Sequence, residues 1–351
     1  MLHPGKTKER NFEDTFQAVL EAFFHSPDFQ NLELGVLQSW KPVHQFSRTF
    51  SIQKVYALKG SRRSTRIFVK IYKNAYGKSD EQFEKAIVQD FETNLFWYHK
   101  LHEYPEFSTI KPLFLSLPHR AVITEEARGE NLGELVLHEL KLFPGKEKLK
   151  RLLTYMRQTG RLLRLIQHFE TEKSAYDLHD LVEDVDSRMR ELVACPGNGF
   201  APSLRQNILD FYNRHMPTAA TRPLHICYLH RDFMMGNLLV HGNQLIIHDF
   251  SRMHIGPGLL DLTRFFHHLE LLKYKPIYRN RAVTALQRAF LQGYGGNITP
   301  EDILFRFFLI RHYITHFKGL AFSSQEPLKS RMYNRYVMAK HLQNLRRIIQ
   351  T

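Results

Sequence analysis

The stretch His230-Arg231-Asp232-Phe233-Met234-Met235-Gly236-Asn237, followed by Ile246-Ile247-His248-Asp249-Phe250, decides the fold of this sequence. It places an Asn five residues after Asp232 and a second Asp twelve residues after that Asn. An Asp in such a loop can accept the proton of an attacking hydroxyl, and carboxylate and amide oxygens are ligands that Mg²⁺ accepts. The pattern therefore predicts a phosphoryl-transfer site, with Asp232 as the catalytic residue and with Asn237 and Asp249 as metal ligands.

A lysine near the end of a predicted strand is the candidate for binding the phosphates of ATP. Residues 66–72 read as a strand that contains Ile-Phe-Val-Lys, ending at Lys70, and Glu92 follows 22 residues later in a segment of helical period. We predict a Lys70–Glu92 ion pair that directs the ammonium group to the α- and β-phosphates. The alternatives are a solvated strand lysine and a helix-surface glutamate.

Composition is that of a folded globular protein, with 43% hydrophobic and 24% charged residues in 351. The first ten residues have no apolar core and no run of 18 uncharged apolar residues occurs, so we expect neither a signal peptide nor a membrane span. Two cysteines give no disulfide framework, and His248 and the pair His267-His268 lack metal-ligand spacing and are interpreted as structural. The sequence thus predicts a cytoplasmic protein.

The net charge of +14 is concentrated near the C-terminus. Residues 262–351 contain 15 Lys and Arg against 4 Asp and Glu: Glu270, Glu301, Asp302 and Glu326. This pattern is typical either of a solvated basic surface or of a surface that attracts an anionic glycan or an anionic membrane face. Without a motif that reads RNA or DNA, no nucleic-acid partner is expected.

Hydrophobic periodicity predicts an α+β chain. Helical period covers residues 12–24 and 81–103, strands are expected from about 34 to 73 and at 121–124, and residues 131–222 are mainly helical. A hairpin is predicted from Leu238 to Ile247, and Thr299-Pro300-Glu301-Asp302 predicts a helix start with Thr299 as its cap.

Together, Lys70, Glu92, His230-x-Asp232, Asn237 and Asp249 resemble the protein-kinase-like fold, and more closely its aminoglycoside phosphotransferase and choline kinase branch, from about residue 35 to 320. Only twelve residues separate Asp249 from Asp261, too few for the activation segment of protein kinases, and Met234 stands where those enzymes carry a lysine. The run from Gly256 to Leu262 resembles the small-molecule kinases, in which such an Asp buttresses the catalytic loop. Arg231 is similar to the arginine of lipopolysaccharide-core kinases.

The resemblance implies two lobes: an N-terminal helical extension (1–33), an N-lobe with an antiparallel five-stranded sheet (34–127) and a mainly helical C-lobe (128–351). It implies a hinge at 124–129, where the backbone of Glu125 and Ala127 binds adenine, and it places Ser47 in the loop that covers the phosphates. That loop has no glycine here, so close backbone approach to a phosphate is harder.

The resulting hypothesis is an ATP- and Mg²⁺-dependent phosphotransferase that moves the γ-phosphoryl group to a hydroxyl of a small molecule or sugar. Because residues 262–351 are basic, we expect a neutral or anionic acceptor rather than a polycation. The alternative is a lipopolysaccharide-core or glycolipid sugar kinase at the inner membrane face. A protein kinase and a non-catalytic pseudokinase are less favoured.

Overall fold

The computed structural model describes residues 4–75, 77–169, 176–323 and 327–350, with side chains described from residue 12 onward apart from Leu328. Contacts divide the chain into two compact units. Unit 1 comprises Met1–Glu130 and Leu238–Ser251, and unit 2 comprises Asn131–Asn237 and Arg252–Thr351. Unit 1 carries the large antiparallel sheet and unit 2 is mostly helical, so the predicted α+β class is confirmed.

The main sheet of unit 1 has the predicted five antiparallel strands, in the order β1-β2-β3-β6-β5. A turn at residues 48–50 separates the first two strands within the segment where strands are expected. The strands of this sheet are β1 (Leu37–Ser47), β2 (Ser51–Gly60), β3 (Ser64–Tyr72), β5 (Pro112–Ser116) and β6 (Ala121–Glu125).

Helices cover both faces of this sheet because side chains alternate along each strand. Ile67, Val69 and Ile71 of β3 are buried in the cluster that contains Phe16, Val19, Leu20 and Phe23 of α1 (Pro4–Phe24), and α2 (Pro27–Gln30) follows that helix. On the opposite face, Val122 packs with Phe83 and Ile87 of α3 (Asp80–Leu101). Lys70 and Tyr72 alternate with the first set and therefore belong to the α3 face.

A second group of strands positions the residues Asp249 and Phe250. β10 (Gln244–Ile247) pairs in antiparallel fashion with β9 (Leu238–His241) and in parallel with β4 (Phe107–Thr109). Gly242 adopts a φ of +58° in the tight turn of this hairpin, a conformation that glycine tolerates without cost. The predicted hairpin is confirmed, and Asp249 follows it by two residues.

Unit 2 is built from packed helices and the short antiparallel pair β8 (Ile226–Leu229) and β11 (His254–Pro257). Glycines bring two of its helices into backbone contact: a Cβ on Gly160 would lie 2.1 Å from the Phe290 carbonyl oxygen, and one on Gly293 would lie 2.0 Å from that of Arg157. The helices are α4 (Leu132–Glu139), α5 (Lys146–His168), α6 (Leu178–Ala194), α7 (Pro202–Ala220), α8 (Leu259–Glu270), α9 (Asn280–Tyr294), α10 (Ile303–Ala321) and α11 (Leu328–Gln350); β7 (Glu130–Asn131) precedes α4.

One predicted helix start is wrong by a few residues. α10 begins at Ile303, and Asp302 is its N-cap, with a side chain that accepts hydrogen bonds from the Leu304 and Phe305 amides. Residues 299–302 form the preceding turn, closed by the Asp302 amide on the Thr299 carbonyl at 3.0 Å. Within the described part of the chain, each helix is too short or too polar to cross a membrane.

Candidate active site

Lys70 lies on β3 and points to α3, where its ammonium group is 3.2 Å from the Asp90 carboxylate. The same ammonium group lies 4.4 Å from the centre of the Tyr72 ring. The predicted pairing with Glu92 is therefore wrong. Two residues along a helix turn the side chain by about 200°, so Glu92 is exposed while Asp90 faces the sheet.

Asp90 collects three side-chain donors from unit 1. Besides Lys70, it accepts a short hydrogen bond from the Tyr72 hydroxyl and one from Asn94 Nδ2 at 3.0 Å. Only 8% of Asp90 is exposed, and burial together with this carboxylate raises the pKa of Tyr72 well above its ordinary value, so Tyr72 keeps its proton. The sequence does indicate that Asp90 faces inward, because Asp90 lies in register with the apolar residues of α3. The buried residues of this helix are Phe83, Ile87, Asp90, Trp97 and Leu101.

The turn beside Ser47 is tied to the end of β3. Lys73 donates to Ser47 Oγ at 3.3 Å and to the Arg48 carbonyl at 3.1 Å, and the Arg48 amide donates to the Ser51 carbonyl at 2.8 Å. Hydrogen bonds from the Lys73 side chain thus hold this glycine-free turn, and they bring the Lys73 ammonium group beside Ser47.

The segment at the end of β6 is held on both sides by backbone hydrogen bonds. The Glu125 amide donates to the Lys111 carbonyl at 2.9 Å, and the Glu126 amide donates to the Arg66 carbonyl at 3.0 Å. Ala127 follows, partly exposed, at the point where the strand has ended. A chain segment that leaves a sheet in this way can present backbone donors and acceptors to a planar ligand.

Asp249 lies in unit 1 in a left-handed backbone conformation, with a φ of +68°. Its Oδ1 accepts a hydrogen bond from the Ser251 hydroxyl at 2.7 Å, and the next residue, Phe250, stacks on Trp97 with ring centres 5.6 Å apart. Burial lowers the pKa of the neighbouring His248, so that imidazole is neutral at pH 7. A non-glycine residue in this region costs about 1–3 kcal/mol and is typical of functional sites.

In unit 2, Asp261 holds the start of the His-Arg-Asp segment through two backbone amides. The His230 amide donates to Asp261 Oδ2 at 2.6 Å and the Arg231 amide donates to Oδ1 at 2.9 Å. Arg231 has a φ of +60°, so this carboxylate stabilises a strained turn. Complete burial raises the pKa of Asp261 to about 7, although the two amides act in the opposite direction.

Asp232 has two side-chain partners in unit 2. Asn237 Nδ2 donates to the Asp232 carbonyl at 2.9 Å and to its carboxylate at 3.2 Å, so Asn237 Oδ1 is the side-chain atom that could hold a metal ion. Arg264 of α8 forms a short ion pair with the same carboxylate. The buried His230 accepts a hydrogen bond from the Asp232 amide at 3.3 Å, so this imidazole supports the backbone of the loop.

Arg264 was missed in the sequence. The only signal for it is its position three residues after Asp261, one helical turn along α8, where both side chains share a face. Two side chains three positions apart on α8 can therefore both face the His-Arg-Asp segment. Asp261 binds its backbone amides, and Arg264 pairs with the Asp232 carboxylate. In total, unit 1 presents Lys70 and Asp249, and unit 2 presents Asp232, Asn237 and Arg264.

A family model described as "Phosphotransferase enzyme family" matches residues 44–303. A comparison with curated protein sequences found no significant match. The family match spans most of the chain and includes each of the site residues described above.

Three solved structures are similar over nearly the whole chain. An amicoumacin kinase in complex with AMP-PNP and Ca²⁺ is 13% identical, with 93% of this chain and 96% of that chain covered and a TM-score of 0.53. The choline kinase of Streptococcus pneumoniae is 12% identical (94% and 99% covered, TM-score 0.50), and a microcompartment-associated aminopropanol kinase is 13% identical (91% and 95%, TM-score 0.54). At these identities the likeness shows the fold, which is the predicted protein-kinase-like one. Because the family model matches well over half of its residues, the chain belongs to the phosphotransferase enzyme family.

Proposed function

We propose that this enzyme transfers the γ-phosphoryl group of ATP, with Mg²⁺, to a hydroxyl of a small molecule or sugar. The observation that carries the proposal is the setting of Asp232, whose carboxylate is held by Arg264 and Asn237 on a loop anchored by Asp261. A carboxylate fixed in this way suits the orientation and deprotonation of an acceptor hydroxyl.

The other site residues take the roles expected for ATP. Lys70, oriented by Asp90, binds the α- and β-phosphates, and the turn at Ser47 covers them with help from Lys73. The backbone of Glu125 and Ala127 binds adenine. Asn237 and Asp249 supply the oxygen ligands for Mg²⁺, which would neutralise charge on the phosphates. We assign residues 34–127 to the ATP-binding lobe, 1–33 to a helical extension and 128–351 to the acceptor lobe.

The proposed chemistry is a direct in-line displacement. The acceptor oxygen forms a bond to the γ-phosphorus while the bond from that phosphorus to the β–γ bridging oxygen breaks, and the hydroxyl proton passes to the Asp232 carboxylate. ADP leaves with the bridging oxygen. No phosphoenzyme forms, and the chain contributes mainly positioning and charge stabilisation.

The acceptor is proposed to be neutral or anionic. A cavity of about 780 Å³ in unit 2 is lined by four cations and two acids among its polar residues: Lys273, Arg288, Arg306 and Arg347, with Glu270 and Glu301. Lys273 pairs with Glu270 at 2.7 Å, so the arginines outnumber the remaining acid. A polycationic acceptor would be repelled by such a surface. Glu326, the fourth acid of the basic region, lies outside the described residues.

The basic region also favours a second candidate, phosphorylation of a sugar on an anionic glycolipid by a cytoplasmic protein at the inner membrane face. Anionic headgroups attract clustered Lys and Arg. A protein kinase is disfavoured because β11 and α8 follow Asp249 almost directly, which leaves no room for an activation segment.

The first experiment measures MgATP binding by thermal shift and ATP hydrolysis on the purified chain. Asp249→Ala should abolish both, whereas Asp14→Ala, which removes an exposed carboxylate on α1, should leave both unchanged. Absence of any MgATP-dependent shift in the unmodified protein would contradict the proposal.

The second experiment identifies the acceptor class by transfer of label from γ-labelled ATP to neutral sugars, anionic glycolipids in vesicles, choline and aminoglycosides. We expect label on sugars or glycolipids and little on the cations. Preferential labelling of aminoglycosides or choline would overturn the charge argument while leaving the phosphotransferase assignment intact.

A further inference from the structure

Three histidines from three different helices of unit 2 converge on one another. His267 of α8, His316 of α10 and His341 of α11 each offer a ring nitrogen, and these nitrogens all lie within 4.8 Å of one another. His267 and His341 are 3% and 0% exposed, and His316 is partly buried. Because the three residues are 49 and 25 positions apart in the chain, their sequence spacing gives no sign of this cluster.

Hydrogen bonds within the cluster pair two of the three histidines and leave one ring nitrogen without a partner among the described residues. His316 Nδ1 and His341 Nε2 are 2.8 Å apart, so one of them donates to the other. His267 Nε2 is buried, and among the described residues it has no hydrogen-bond partner. A buried polar atom left in this way normally has a ligand or water as its partner.

The surroundings of His341 are those of a metal ligand. Its second ring nitrogen, Nδ1, lies 3.3 Å from the Tyr274 hydroxyl oxygen, which itself accepts a hydrogen bond from Asn344 Nδ2 at 2.8 Å. Donation from Nδ1–H to Tyr274 would fix the tautomer in which the Nε2 lone pair faces the cluster. Metal-binding histidines usually have such an outer partner.

The cluster is also uncharged, as metal binding requires. Burial lowers the pKa of His267 well below its ordinary value, lowers that of His341 to about 3 and lowers that of His316. All three imidazoles are therefore neutral at pH 7, which is the form that coordinates metal.

We propose that His267, His316 and His341 bind one Zn²⁺ ion at a site that joins α8, α10 and α11. Tetrahedral coordination with Zn–N bonds of about 2.0–2.1 Å separates ligand nitrogens by about 3.3–3.4 Å. His316 Nδ1 and His341 Nε2 are 2.8 Å apart and no two of the three nitrogens are more than 4.8 Å apart, so the cluster has the size that one ion needs. A water molecule would complete the tetrahedron as fourth ligand. Imidazole ligands without carboxylates favour zinc-type ions over Mg²⁺ or Ca²⁺.

This site would support the catalytic loop through α8, which carries Asp261, Arg264 and His267 at successive intervals of three residues. An ion that holds α8 to α10 and α11 would therefore stabilise the helix that anchors Asp232. The proposal concerns metal binding and stability, and it does not depend on the identity of the acceptor.

The test uses the untagged full chain, treated with a chelator, desalted, and then titrated with Zn²⁺. We expect one Zn²⁺ retained per chain after desalting, as measured by mass spectrometry of the metal, and a higher melting temperature. Co²⁺ in place of Zn²⁺ should give visible absorption bands of a tetrahedral nitrogen site. Retention of no more Zn²⁺ than a metal-free control protein would overturn the proposal.

Variants separate this site from the other histidines of the chain, which has 20 in total. His316→Gln, at the partly buried position, should abolish both the retained Zn²⁺ and the Co²⁺ bands while circular dichroism shows a folded protein. His254→Gln, at an exposed position on β11, should retain both. Tyr274→Phe should weaken Zn²⁺ binding by about tenfold. Equal Zn²⁺ retention by His316→Gln and the unmodified chain would show that the ion binds elsewhere and would sink the proposal.

Discussion

Asp90 in unit 1 and Asp261 in unit 2 are both buried aspartates, 8% and 1% exposed, yet one binds side-chain groups and the other binds backbone amides. Asp90 accepts hydrogen bonds from side chains and balances the charge of Lys70. Asp261 accepts two backbone amides and holds Arg231 in a left-handed conformation. The first orients a functional group and the second shapes a loop, so their loss should affect different quantities.

Asp261→Asn should have the largest effect. An amide can accept at one atom only, so a backbone N–H of the catalytic loop loses its partner at a cost of about 1–3 kcal/mol. Displacement of Asp232 by about 1 Å would lower kcat by about 100-fold. Steady-state kinetics and thermal unfolding measure the two effects, and a variant with unchanged kcat would show that this loop does not need its anchor.

The same variant tests the raised pKa of Asp261. Burial raises this pKa to about 7 in the folded state, against about 4 in the unfolded chain. The contribution of Asp261 to the free energy of unfolding is therefore fully present below pH 4 and is lost as the pH rises to about 7. The stability difference between the wild type and Asp261→Asn should narrow from pH 5 to pH 8. A difference that widens over this range would indicate a lowered pKa.

Asp90→Asn should have an intermediate effect, confined to the nucleotide. Loss of the carboxylate leaves the Lys70 ammonium without its partner, and hydrogen bonds between charged groups contribute about 1.5–3 kcal/mol. We expect the KM for ATP to rise by about tenfold or more, with a small change in the acceptor KM. Glu92→Gln is the matched control on the same helix and should leave both values unchanged; the reverse ranking would restore Glu92 as the partner of Lys70.

Arg264→Gln should lower kcat by a smaller factor, about threefold to tenfold, because Asn237 still contacts Asp232. The Arg264 and Asp232 side chains are 27% and 22% exposed, so solvent weakens their ion pair. Arg264→Lys keeps the charge and should recover part of the rate. An increase in KM for ATP at constant kcat would instead assign Arg264 to nucleotide binding.

Tyr72→Phe should have the smallest effect. It removes one hydroxyl donor from Asp90 while Lys70 and Asn94 remain, so we expect a loss of about 0.5–1.5 kcal/mol in stability and a KM for ATP within about threefold of the wild type. Thermal unfolding and kinetics together test this. A tenfold rise in KM would show that Tyr72, and not the charge of Asp90, orients Lys70.

The histidine cluster has no counterpart in the spacing of the sequence. His267, His316 and His341 lie together only because α8, α10 and α11 pack against one another. Arg264 and Asp90 were missed for a related reason. Each is an ordinary charged residue on a helix, and only the rotation of that helix about its axis gives it a function.

The sequence alone predicted the strands and the hairpin, because alternation and turn residues are local properties of the chain. The resemblance carried by the fixed offsets from Asp232 to Asn237 and Asp249 predicted the antiparallel sheet and the kinase-like fold. Tertiary structure decided which partner each site residue has. Asp90 replaced Glu92, Arg264 joined Asp232, and three distant histidines met in the core. The physical reason is that helix phase and packing, which place side chains within a few ångströms of each other, depend on contacts between segments far apart in the chain.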